Sequence, residues 1–282
     1  MIGYKTLIKK IAKFVLASQA HDVVNIKIDQ INYGGVLSKK KVVITGGGSG
    51  LGFAMARKFI SEGAEVLITG RNEEKLKKAC GDLGTSCRYK VFDVTKVEDA
   101  VTFVDECYNL CGGLDSMVLN AGVSLHEGSF HNVTVEGFDM QFNTNLKATY
   151  FLSKAFLEKK EEKKEGGNLL IVSSNTSAKS IDIPYGITKA AVNSLTGAFA
   201  RRVYRKGIRV NAIAPGVTLT DMTKDFAVFE NGNFANNSAC GRVFLPEEIA
   251  EVACFMISDA SKCISGEVIF CDAGNHLNVN FK

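Results

Sequence analysis

Two groups of residues in this chain have the types and the spacing to do chemistry. The first, Thr45-Gly46-Gly47-Gly48-Ser49-Gly50-Leu51-Gly52, follows the apolar run Val42-Val43-Ile44. Gly46 permits a sharp exit from a strand, Gly50 a close approach of backbone to phosphate oxygens, and Gly52 tight packing of the helix that follows. With Ser49 and Leu51 they set free N–H groups and a positive dipole end against a pyrophosphate. A glycine-rich loop alone is equally an ordinary tight turn; the strand before it and the helix after it favour the phosphate reading. The second group is Tyr185-Gly186-Ile187-Thr188-Lys189. A lysine four residues after a tyrosine shares its helix face. Its ammonium stabilises tyrosinate and draws the phenol down from its ordinary value of about 10. Such a pair can give or take a proton at a carbonyl oxygen. Isolated pairs of this kind are common on ordinary helices, and it is the phosphate loop upstream that gives this one meaning.

These groups lie 140 residues apart, so a framework must bring them together. From Lys41 onward the pattern alternates. Strands are expected at 41–45, 65–69, 88–92, 115–119, 168–172, 208–212 and 267–271, and helices at 50–62, 72–81, 96–110, 134–162, 185–206 and 246–257. Short apolar runs such as Leu169-Leu170-Ile171-Val172 suit strands buried on both faces. The expected fold is α/β, a Rossmann-like doubly wound parallel sheet of about seven strands with helices on both faces. The run from Lys159 to Glu165 reads as a solvated helix end before a Gly166-Gly167 stop.

The end of the second strand chooses between dinucleotides. An acidic residue there would bond a ribose 2′-OH, but this chain has Thr69-Gly70-Arg71-Asn72. Arg71 can pair with a 2′-phosphate, so NADP(H) is the expected cofactor, with NAD(H) the alternative.

With these motifs in hand, the chain resembles the classical short-chain dehydrogenases/reductases over about residues 39–275, including members that reduce 3-oxoacyl thioesters on an acyl carrier protein. The likeness runs through Asp93-Val94, Asn120-Ala121-Gly122, Asn145, Ser173-Ser174, the tyrosine–lysine pair, Asn211 to Gly216, Gly241-Arg242, Pro246 to Ala250, and Asp272-Ala273-Gly274. It implies oxidoreductase activity between a carbonyl and a secondary alcohol, without metal. Tyr185 would be the general acid/base. Lys189 would tune it and bond the nicotinamide ribose, Ser174 would polarise the carbonyl, and Asn145 would hold a relay water. Ser174 stands 11 residues before Tyr185, a shorter interval than is usual in the family, and Ser173 and Ser177 stay open as alternatives. The cofactor would also touch Asp93, Val94, Asn120, Ala121, Gly122, Pro215, Gly216, Val217 and Thr220, with Thr220 doubling as a helix cap. Residues 217–241 would form a substrate lid. The long helices would pair subunits into a homo-oligomer, a tetramer or a dimer.

Composition narrows the partners. Residues 1–41 carry eight lysines against Asp22 and Asp29, a balance of +6, and the remainder balances at −2. A near-neutral body argues against nucleic acid. Residues 1–38 read as a separate basic amphipathic arm, with Tyr4, Leu7, Ile8, Ile11, Phe14 and Val15 at helical spacing. Packing on the body or on a neighbouring subunit is the preferred reading, ahead of contact with a membrane surface. Residues 39–282 read as one catalytic domain. A hydrophobic content of 46% and mean hydropathy of +0.06 support a sizeable core, and no apolar run is long enough to span a bilayer. The eight cysteines form no Cys-x-x-Cys and read as reduced thiols of a cytoplasmic protein, with no metal site. Two rival functions remain. A non-catalytic NADP(H)-sensing module would be expected to lack the tyrosine or lysine. A sugar-nucleotide-modifying relative would show a different glycine spacing.

Overall fold

The computed structural model describes residues 34–223 and 242–277. These lie in one compact unit, Ile31–Lys282. The amphipathic reading of the arm and the aromatic part of the lid fall outside the described residues.

Seven parallel strands form one sheet in the order β3-β2-β1-β4-β5-β6-β7. They are β1 (Lys41–Thr45), β2 (Glu65–Gly70), β3 (Cys87–Val91), β4 (Ser116–Leu119), β5 (Gly167–Val172), β6 (Ile208–Pro215) and β7 (Val268–Cys271). Between them run α1 (Gly50–Ser61), α2 (Glu73–Leu83), α3 (Ala100–Cys111), α4 (Val135–Gln141), α5 (Ala148–Lys163), α6 (Pro184–Val203) and α7 (Pro246–Ile257). The expected doubly wound fold is the observed one.

The period of two along each strand splits the core into two layers. Val42, Ile44, Val66, Ile68 and Val118 meet Met55 and Phe59 of α1 and Ile249 and Ala253 of α7. Val43, Leu67, Met117 and Leu119 face the other way, onto Phe103 of α3, Leu152 and Phe156 of α5 and Val192 of α6. With both faces covered, the central strands are mainly apolar, and β6 is buried throughout, Arg209 and Asn211 included.

Two expectations need correction. The helix placed at 134–162 is interrupted: α4 ends at Gln141, a π-helical turn covers Phe142–Lys147, and α5 follows. Nor is the end of α5 simply solvated. Lys160 is buried, and its Nζ donates to Leu114 O at 2.9 Å and pairs with Glu165 at 2.8 Å. Glu165 also accepts from the Tyr108 hydroxyl at 2.7 Å. Lys164, not a glycine, takes the left-handed position that ends the helix. Gly166 is needed for closeness instead, because a Cβ there would lie 2.8 Å from Gly207 O.

The segment before β1 belongs to the body. The Glu62 carboxylate accepts from Gly34 N and Gly35 N, at 3.0 and 3.1 Å, and Leu37 is fully buried.

Candidate active site

In the strand order, β1 has β2 on one side and β4 on the other. Crossovers leave in opposite directions at that point, so the loops after the two central strands part and open a crevice at their carboxyl ends. A cavity of about 660 Å³ lies there.

The glycine loop forms one wall, with Gly46, Ser49, Gly50 and Leu51 lining the cavity. Gly46 has φ of +66°, a conformation that costs glycine nothing. Gly52 does not line the cavity. A Cβ there would sit 2.2 Å from Gly46 O and 2.7 Å from Asn120 Nδ2, so this glycine packs α1 against its own loop. Ser49 precedes α1 without a side-chain cap, and the first turn carries no acidic residue. The first N–H groups of α1 and its dipole are thus available to an anion.

Asn120 staples the loop to β4. Its Nδ2 donates to Thr45 O and Gly46 O, at 3.0 and 3.1 Å, while Asn120 N and Ala121 N donate to Thr45 Oγ1. The side chain of Asn120 is therefore spent on backbone, and the segment Asn120-Ala121-Gly122 presents its main chain to the cavity.

Arg71 lines the cavity directly after β2, beside Asp93 and Val94. Burial raises the Asp93 carboxyl, but bonds from the Thr95 N–H and hydroxyl, with the charges of Arg71 and Lys96, hold it below its ordinary value.

On the opposite wall Pro215, Gly216, Val217 and Thr220 line the cavity. The Thr220 methyl would lie 3.4 Å from a Cβ at Gly50, so the two walls meet there. Thr220 N donates to Thr223 Oγ1 at 3.0 Å, and Thr223 N to Thr220 O at 3.0 Å, so residues 220–223 form a closed turn. Leu219 N donates to Phe244 O and Phe244 N to Val217 O, each at 2.9 Å. The described flanks of the expected lid are thus tied to one another. Arg242 grips Glu248 of α7 through both guanidinium nitrogens, at 2.7 and 2.6 Å, and holds that carboxyl down at about 2.

Tyr185 and Lys189, in the first turns of α6, reach the same cavity, as does Ser174 after β5. Burial pushes the Tyr185 phenol above its ordinary range, and a hydrogen bond with Ser174 opposes that rise. Burial brings Lys189 down to about 8. Its Nζ donates to Val172 O at 2.8 Å and stands 5.7 Å from the centroid of the Tyr185 ring. The sequence reading had the ammonium lower the phenol. In the folded chain burial dominates, and the Ser174 hydroxyl is the group that opposes the rise.

The three candidate serines have separate partners. Ser173 Oγ donates to Asn193 Oδ1 at 2.6 Å, and Ser177 Oγ to Ser174 O at 2.6 Å. Of the three, Ser174 is the one whose hydroxyl acts on the Tyr185 phenol, opposing its rise. Asn145, on the π-helical turn, does not line the cavity. Its amide brackets Val123, accepting from Val123 N at 2.8 Å and donating to Val123 O at 2.9 Å, and so fixes the chain after Gly122.

The sequence reading passed over His126, Thr176 and Asn193. His126 lines the cavity and joins Ser124 Oγ (3.3 Å) to Met222 O (3.1 Å). Asn193 accepts from Ser173 and donates to Ser177 at 2.8 Å, clamping both ends of the serine turn. Its place four residues beyond Lys189, on the same helix face, is a signal that could have found it. Nothing in the sequence marks His126 or Thr176.

The fold opens a crevice of the dinucleotide-binding type at the carboxyl ends of the strands, and comparison with known proteins shows the family. The family described as "Enoyl-(Acyl carrier protein) reductase" matches residues 46–276. The chain is 35% identical over 242 residues to "Oxidoreductase asL5" of Sarocladium schorii, covering 84% of this chain and 96% of that one. Among solved structures it resembles ElxO with NADP bound, at 30% identity and a TM-score of 0.78, over 84% and 98% of the two chains. It also resembles the 3-ketoacyl-(acyl-carrier-protein) reductase of Brucella melitensis complexed with NADH, at 27% identity and a TM-score of 0.78, over 86% and 100%. The chain belongs to the short-chain dehydrogenase/reductase family and is an oxidoreductase.

Proposed function

We propose that this protein interconverts a carbonyl compound and a secondary alcohol with a nicotinamide dinucleotide, NADP(H) in preference to NAD(H). The observation that carries the reading is the meeting, in one cavity, of an uncapped helix N-terminus, an arginine after β2 and the Ser174–Tyr185–Lys189 group. The residues present fit such a cofactor. The N-terminus of α1 and its glycines suit a pyrophosphate, Arg71 suits a 2′-phosphate, and the main chain of 120–122 and 215–217 with Thr220 suits the remaining length. Related structures hold NADP and NADH, and Arg71 is the ground for preferring the former.

When bound, the nicotinamide supplies or accepts the hydride at the carbonyl carbon. The chain's own residues handle the oxygen. Ser174 donates a hydrogen bond to it and stabilises the charge that develops there. Tyr185 holds its proton throughout the neutral range because burial raises the phenol, and delivers it to that oxygen in reduction. Lys189 contributes positive charge beside the phenol below about pH 8. Asn145 keeps the 122–123 main chain in place. Two hydroxyls converging on one acceptor suit an oxygen gaining charge, which favours a carbonyl over a carbon–carbon double bond. The seven described cysteines carry free thiols, which supports a cytoplasmic setting.

The helices α5 and α6 leave Tyr150, Phe151 and Ile187 exposed, which supports a homo-oligomer joined through these helices.

The test is NADPH consumption against a panel of diketones, 3-oxoacyl thioesters and keto-sugars. Tyr185→Phe should lower kcat by at least about a thousandfold with NADPH affinity unchanged. Full activity in that variant would overturn the mechanism.

A further inference from the structure

We infer that Thr176 is a positioning residue for proton transfer, setting the direction in which the Ser174 hydroxyl donates. The inference rests on the carbonyl-reduction reading above and adds to it a residue that neither the sequence motifs nor the cofactor contacts single out.

Ser174 caps the short 3₁₀ turn Asn175–Ala178. Its Oγ accepts twice from the same residue, from Thr176 N at 3.3 Å and from Thr176 Oγ1 at 3.0 Å. A serine hydroxyl has one proton and two acceptor lone pairs. With both acceptor positions engaged, Ser174 bonds any further partner as a donor. That polarity matters. A serine with a free lone pair could accept the proton of the Tyr185 phenol and turn its own proton away. A serine held as a donor presents its one proton to the oxygen of a bound carbonyl, where negative charge develops. Each bond in the chain Thr176→Ser174→acceptor also polarises the next.

The backbone contribution would come from any residue at position 176, but the side-chain contribution requires a hydroxyl. The neighbouring hydroxyls have other partners, since Ser177 Oγ donates to Ser174 O and Ser173 Oγ to Asn193. Among the described residues, Thr176 supplies the side-chain bond to Ser174 Oγ. Its β-branch restricts χ1 and so holds the hydroxyl in place.

The test compares Thr176→Val, which removes the hydroxyl and keeps the branch, with Thr176→Ser, which keeps the hydroxyl. Thr176→Ala is a second hydroxyl-free variant in case valine disturbs folding. Each is assayed in the full-length protein against the best-reduced member of a panel of 2,3-butanedione, 3-oxoacyl thioesters and keto-sugars. Tyr185→Phe is run alongside, with NADPH binding followed by fluorescence. The hydroxyl-free variants should lose kcat about tenfold, the worth of one hydrogen bond, with NADPH affinity unchanged, and Thr176→Ser should recover most of it. Wild-type kcat in Thr176→Val and Thr176→Ala, with Tyr185→Phe inactive, would overturn the role of Thr176 and leave the carbonyl reading standing. A loss that Thr176→Ser fails to restore, or that comes with equal loss of NADPH binding, would assign Thr176 a structural role and overturn the inference. Undiminished activity in Tyr185→Phe, or no reduction of any panel member by wild type, would sink the carbonyl reading and this inference with it.

Discussion

At Lys189, burial works against the charge. The ammonium donates to the Val172 carbonyl and is brought down to about 8, so it is present at neutral pH and lost as the pH rises through 8. The proposed reduction should follow it: kcat/KM measured with saturating NADPH should fall above about pH 8, and a flat profile from 7 to 9.5 would contradict this. The same shift bears on stability. The folded chain releases this proton at a lower pH than the unfolded chain, so the wild type gains stability as the pH rises from about 8 toward the ordinary lysine value. Lys189→Met removes the buried charge and should stabilise the fold at pH 7 by about 1–2 kcal/mol, an advantage that shrinks toward pH 10, while reduction is lost. Thermal melts at both pH values check this. Arg71 is a simpler case. Replacing it by Ala removes a charge-assisted partner and should weaken NADPH binding about ten- to a hundredfold, leaving NADH binding within about twofold. Equal loss for both would show that Arg71 does not read the 2′-phosphate.

The glycine loop shows how an element depends on space as well as on chain direction. At Gly52 the obstacle to any side chain is main-chain oxygen 2.2 Å from where a Cβ would be. Backbone cannot rotate away as a side chain does, so Gly52→Ala should lower stability by about 1–3 kcal/mol and weaken dinucleotide binding as the loop is displaced. Denaturant titration together with NADPH fluorescence would show both. At this scale much was legible in the sequence. Strand positions followed from apolar runs, and the turn out of β1 followed from Gly46. What escaped was the π-helical turn at Phe142–Lys147. It carries neither proline nor glycine, and its one extra residue is invisible to a helical period. Lys160 escaped for a similar reason. In a run of seven charged residues nothing distinguishes the one whose stem passes inward to Leu114 O.

For the molecule as a whole, the sheet order sets where the candidate site is, and the outer helices carry the proposed association. Tyr150 and Phe151 are 40% and 38% exposed on α5, and Tyr150 packs on Phe199 of α6 with ring centroids 5.6 Å apart. A continuous aromatic surface across two helices is costly to leave in water. Phe151→Asp should therefore shift the proposed oligomer toward smaller species in sedimentation analysis while the monomer keeps its fold. An unchanged sedimentation profile would remove these helices from the interface.

The sequence by itself determined the kinds of residues available, the strand–helix alternation and the two motifs, since each of these depends on near neighbours in the chain. Only the tertiary structure decided which groups meet. Ser173 and Ser177 donate to Asn193 and to Ser174 O, while the Ser174 hydroxyl acts on the Tyr185 phenol. Asn145 proved to bracket Val123 rather than line the cavity. Burial, not the neighbouring ammonium, dominates the Tyr185 phenol. Burial and hydrogen-bond direction depend on what surrounds a group from every side, and those surroundings come from residues far apart in the chain.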